Sequence, residues 1–171
     1  MRAIAIILLP CLVACAPPGP DETRCNAGSV EADIRTSPLV GPAVDASTQT
    51  LKPGSYFVST TYIKLTLEPE GQRLFQDLTA AISDVLPTTP GLLASQLSTS
   101  TECLSARTLA VWSDEKSMFQ FSAGEVHSNA IRQAKKMSRG GGGVTHWADT
   151  EQGVNFEKAA QQVAADIRPG F

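Results

Sequence analysis

From Tyr56 to Ile167 the spacing of apolar residues switches repeatedly between two and three to four, and this limits the possible folds more than any other feature of the 171 residues. Between Tyr56 and Leu67 the side chains alternate. Phe57, Ile63 and Leu65 fall on one side and Tyr56, Val58, Tyr62 and Lys64 on the other, in a β-branched and aromatic stretch that predicts a strand. Leu74, Phe75, Leu78, Ile82, Val85 and Leu86 then recur at helical spacing, with Glu68 and Glu70 at the positive end of the dipole. Pro87 and Pro90 stop that helix. Two further strands are expected around Leu92 to Leu97 and from Arg107 to Trp112.

Ser113 or Asp114 then offers a capping oxygen for a second helix, which should break near Ser122 to Gly124 and resume through Val126, Ile131, Ala134 and Met137. The glycines 140 to 143 end it. Val144 to Trp147 predicts a fourth strand, and Val154 to Ile167 a last helix. Two β-α-β halves in this order imply an α+β domain with a ferredoxin-like antiparallel sheet and its helices on one face.

The chain begins differently. Met1 and Arg2 precede an apolar run from Ala3 to Leu9, too short to cross about 30 Å of hydrocarbon, so the start reads as a signal peptide. Leu12, Val13, Ala14 and Cys15 resemble the lipobox of bacterial lipoproteins, which implies cleavage before Cys15 and acyl chains on its thiol. An ordinary secretory signal with a chance cysteine is the competing reading. The expected divisions are a signal peptide at 1–14, a lipidated cysteine and Pro-rich tether at 15–53, and the domain at 54–171. The expected location is the bacterial envelope, on the outer membrane facing the periplasm in a Gram-negative cell, because Ala16 lacks an acidic inner-membrane signal.

Loss of residues 1–14 removes Arg2 and leaves 13 basic against 17 acidic side chains, a formal charge of −4. No basic field for nucleic acid exists. Of the four cysteines, Cys11 leaves with the signal and Cys15 takes lipid, so Cys25 and Cys103 remain. In an oxidising compartment they are expected to pair, two free thiols being the alternative. No zinc spacing, nucleotide turn or G-x-S-x-G elbow is present, so neither a metal nor a nucleotide cofactor is expected.

Over residues 54 to about 150 the chain resembles the antibiotic biosynthesis monooxygenase-like group. The resemblance lies in Pro53 and Gly54 entering the first strand, Gly91 and Leu92 starting the second, the run Val111, Trp112, Ser113, Asp114, Glu115, and then Phe121 and His127. It implies a dimeric α/β barrel, hence a homodimer, and a domain whose relatives include cofactor-free oxygenases acting on aromatic compounds. The haem-degrading branch has its ligand histidine where this chain has Ile131, so that role is not carried over.

His127 is the candidate catalytic residue, because imidazole exchanges protons near neutral pH and the resemblance places a histidine at this helix entrance. A structural role, bonding a loose carbonyl beside the glycine break, competes with it. Trp112 alternates away from Leu109 and Val111 and is expected on the barrel-lining face with Trp147, Tyr56 and Tyr62, as the wall of a pocket for a small hydrophobic ligand or as filler of a dimer interface. Trp112, Trp147 and Tyr62 are thus the candidate substrate-binding residues. Two functions follow: a small-molecule-modifying enzyme, or a non-catalytic binding or envelope lipoprotein on the same fold.

Overall fold

The computed structural model describes residues 19–166, so Cys15 and the expected signal peptide lie outside the described residues. Three short strands, β1 (Arg35–Thr36), β2 (Val44–Asp45) and β3 (Thr50–Leu51), come first. Then follow β4 (Ser55–Lys64), α1 (Pro69–Val85), β5 (Leu92–Ser100), β6 (Ser105–Trp112), α2 (Glu115–Ala123), α3 (Glu125–Met137), β7 (Gly143–Thr150) and α4 (Phe156–Ala165). The main sheet runs β1-β5-β6-β4-β7, and every pair in it is antiparallel. The four long strands with their two helical crossovers form the ferredoxin-like arrangement, so the α+β class read from the periods stands.

Local chemistry explains the boundaries. Pro69 opens α1, where a missing N–H costs nothing. The Asp114 carboxylate accepts from the Ser117 amide at 2.7 Å and starts α2. Gly124, in extended backbone, separates α2 from α3 where the glycine break was expected.

Each strand sends alternate residues to opposite faces, and both faces are covered. On the first, Ile63 and Ala106 meet Leu78 of α1 and Ala134 and Met137 of α3. On the second, Val58, Leu109, Val111 and Trp147 pack against Phe156 and Ala159 of α4, and against Leu39, Ala43 and Val44 from the segment before β4. The crossover helices α1 and α2–α3 share the first face as expected, and the C-terminal helix α4 lies on the second.

Residues 19–53, read above as a tether, are laid over that second face as an arm. Polar anchors hold it. Cys25 and Cys103 form the expected disulfide. Glu31 accepts from Arg107 Nε at 2.9 Å and from the Ser105 hydroxyl at 2.6 Å, while the Arg107 guanidinium also donates to the carbonyls of Asn26, Ala27 and Ser29 and lies 4.1 Å from the Tyr62 ring centre. Asp33 caps the β5–β6 turn through the Ser100 and Thr101 hydroxyls and the amides of Thr101 and Glu102. Burial raises its pKa, but these bonds outweigh that and hold the carboxyl at about 2. Composition predicts poor order for this segment because such specific long-range bonds leave no periodic trace.

Candidate functional site

Register decides which predicted residues meet. Phe57 of β4 pairs with Trp112 of β6, so both point to the face under α1, α2 and α3, whereas Tyr62 pairs with Arg107 and Trp147 with Val58, which point to the other. Trp112 is therefore separated by the sheet from Trp147, Tyr56 and Tyr62, and the expected wall of two tryptophans and two tyrosines is not assembled. Alternation gives the parity correctly. It does not say which side is open, and here neither is: the arm covers the tyrosines, so the apolar surface on which sheet-face pairing was expected is already buried within the chain.

Tyr62 is fully buried, and desolvation, with the Glu31 carboxylate adding to it, pushes its hydroxyl up to about 12. It is a core residue. Trp147 is 8% exposed in the α4 core, with no partner for its indole N–H.

His127 does line a cavity. A groove of about 280 Å³ lies between the C-terminal end of α1 and the α2–α3 junction, walled by Val85, Thr89, Pro90, Ser117, Gln120, Phe121, Gly124, Val126 and His127. Its lining is mainly apolar. The Phe121 ring lies 4.8 Å from His127 and 5.2 Å from Trp112, which backs the groove from beneath without lining it. Trp112 is held by its indole N–H, which donates to Ser59 Oγ at 3.0 Å. Gly91, at φ 76°, lets the start of β5 pass against α2: a Cβ there would collide with the Ser117 side chain.

Burial holds the His127 imidazole below its ordinary pKa of 6.5, the Ser122 backbone pulling the other way. The ring is neutral at pH 7. Its Nδ1 is buried without a hydrogen-bond partner, and no carboxylate orients it. The Ser122 backbone acceptor, beside the Gly124 break, is the kind of partner that the structural role calls for, and the ring also packs on Phe121.

A second aromatic group lies on the other side of α2. His146, whose strand position is opposite Ser59, is 5.4 Å from the Phe57 ring and 5.6 Å from Phe119, with Glu115 Oε1 3.8 Å from its Nε2. Sequence reasoning passed over His146, Phe57 and Phe119 because they come from three separate elements. Phe121 was more legible, since it and His127 flank the Gly124 break. Among the described residues, no three His, Cys, Asp or Glu side chains gather in a way that could hold a metal ion.

No family model matches the chain, and no curated protein matches it. Solved structures do. One is a Shewanella oneidensis protein at 15% identity and TM-score 0.49, over 58% of this chain and 96% of that one. Another is described as a putative monooxygenase from Fusobacterium nucleatum, at 18% identity and TM-score 0.49, over 68% of this chain but only 49% of its own length. A third is a dimeric ferredoxin-like protein of unknown function from Jannaschia, at 14% identity and TM-score 0.47, over 55% of this chain and 98% of that one.

Proposed function

We propose that this chain is a lipid-anchored envelope protein whose domain binds a small hydrophobic compound in the groove at His127. The observation that carries the reading is a neutral imidazole in the wall of a mainly apolar groove of about 280 Å³. A buried polar atom without a partner costs about 1 to 3 kcal/mol, so the unpaired Nδ1 marks a place where a polar group on a ligand would be stabilising. Acyl chains on Cys15, in the lipobox-like sequence, would hold the domain at a bacterial membrane.

Chemistry on the bound compound is a second reading, favoured by the neutral state of His127, which can accept a proton from a phenolic or enolic hydroxyl. Against it stands the missing carboxylate: an activated base is commonly oriented by one, and Nδ1 has no hydrogen-bond partner. Capture is therefore the primary reading, and a cofactor-free, oxygenase-type conversion is the finer one.

Mass spectrometry of compounds extracted from purified wild type and from Phe121→Ala tests both. Wild type should carry an aromatic or aliphatic compound that the variant loses. Absence of any bound compound, with no affinity for added naphthol-sized aromatics, would overturn the binding reading. Oxygen uptake in the presence of the recovered compound, lost in His127→Phe, would establish the catalytic one.

A further inference from the structure

We propose that the domain stands on the bilayer with the end formed by its β4–α1, β5–β6 and α3–β7 loops, so that the His127 groove opens on the side away from the membrane. This rests on the reading of Cys15 as the lipidated residue. Cys15 and Gly19 are four residues apart, and four extended residues reach at most about 14 Å, so wherever Gly19 sits is the end held near the lipid.

The place of Gly19 is well defined by its neighbours. Gly19 and Pro20 share a shallow cavity with Arg24, Cys25, Glu102 and Cys103 at the β5–β6 turn. Two residues beyond Pro20, Glu22 bridges Lys64 at the end of β4 and Arg139 before β7. The Arg139 guanidinium donates in turn to the carbonyls of Leu65, Cys103 and Leu104. All three loops are thus tied to one another and to the start of the arm.

The groove is at the opposite end. Val85 closes α1, and the 17 residues of that helix span about 25 Å at 1.5 Å each. Trp112, behind the groove, is likewise the last residue of a strand that begins at Ser105 beside the attached end.

The chemistry of the attached end agrees. Arg24, Lys64 and Arg139 are each paired with a carboxylate, whereas Lys135 and Lys136, in the last turn of α3 at this same end, are exposed and can add to the hold of the acyl chains on an anionic surface. Leu67, in the β4–α1 loop, is 56% exposed and can rest in the headgroup region once the domain is tethered there.

The test uses full-length lipidated protein in phosphatidylcholine vesicles carrying a nitroxide on the headgroup, with a fluorophore on a cysteine introduced by Leu67→Cys or by Glu125→Cys. The expected result is quenching at least fivefold stronger at position 67 than at 125, and a twelve-residue Gly/Ser insertion after Ala16 should erase the difference. Equal quenching, or stronger quenching at 125, in protein that floats with the vesicles overturns the orientation and leaves the anchor intact. Failure of the Cys15 protein to float overturns the anchor and the orientation with it.

Discussion

The Glu31 carboxylate and the Arg107 guanidinium meet at 2.9 Å with both side chains 2% exposed, joining the arm to the middle of β6 in the interior of the domain. Removing one partner strands the other charge, so Glu31→Ala should cost about 3 to 5 kcal/mol in urea unfolding. Glu31→Ala with Arg107→Met should recover part of that loss. No recovery would mean that the guanidinium bonds to Asn26, Ala27 and Ser29, rather than the charge pair, hold the arm.

The disulfide closes a loop of 78 residues in sequence separation, for which the chain-entropy model gives about 4.5 kcal/mol. Replacing Cys25 and Cys103 together by Ala should lower the unfolding free energy by a few kcal/mol and expose the arm to trypsin at Arg24. In native wild type, an alkylating mass tag should add nothing until denaturant and reductant are both present, because both cysteines are buried. Two tags without reductant would contradict the bond.

His127 gives stability a predictable pH slope. Its folded pKa lies below the ordinary 6.5, so as pH falls the unfolded chain takes the proton first. Stability from the neutral ring is complete above about 6.5 and is lost as pH drops from there toward the lower folded value. His127→Phe should flatten Tm between pH 7.5 and 5 relative to wild type. An unchanged slope would place the titration elsewhere.

Trp112 sits under α2 at 1% exposure, so Trp112→Arg should unfold the domain, and Trp112→Ala should cost about 3 to 5 kcal/mol in thermal or urea denaturation. Trp147→Phe tests the separation by the sheet: it should change stability slightly and leave ligand retention unchanged, because Trp147 faces α4 rather than the groove.

Gly91→Ala should destabilise by more than about 1 kcal/mol, since φ 76° suits glycine and the added methyl meets Ser117. It should also weaken ligand retention by shifting α2, whose residues Ser117 and Phe121 line the groove. Native-state ligand mass spectrometry and a melting curve read the two effects separately.

The core of the fold was legible because its elements repeat a period. Tyr56 to Leu67, the helix ending before Pro87, and the break at Gly124 all appear within a few residues of their expected places. The cover of the second face was legible only in its disulfide, which the count of cysteines pairs. Glu31 and Asp33 act through partners 76 and 67 residues away, and no local pattern marks them. The site was half legible. His127 and Phe121 flank a visible helix break, but Val85 and Pro90 join them only when α1 folds back, and placing Trp147 and Tyr62 with Trp112 required a strand register that alternation alone does not supply.

The arm and α4 are tethered to the sheet they cover, so the apolar face is met by a cover whose local concentration is set by the intervening chain and not by the number of molecules present. Burial of that face therefore follows first-order kinetics and is the same for a lone molecule as for a crowded population. A domain closed in this way completes both halves of its core from its own chain, however dilute it is.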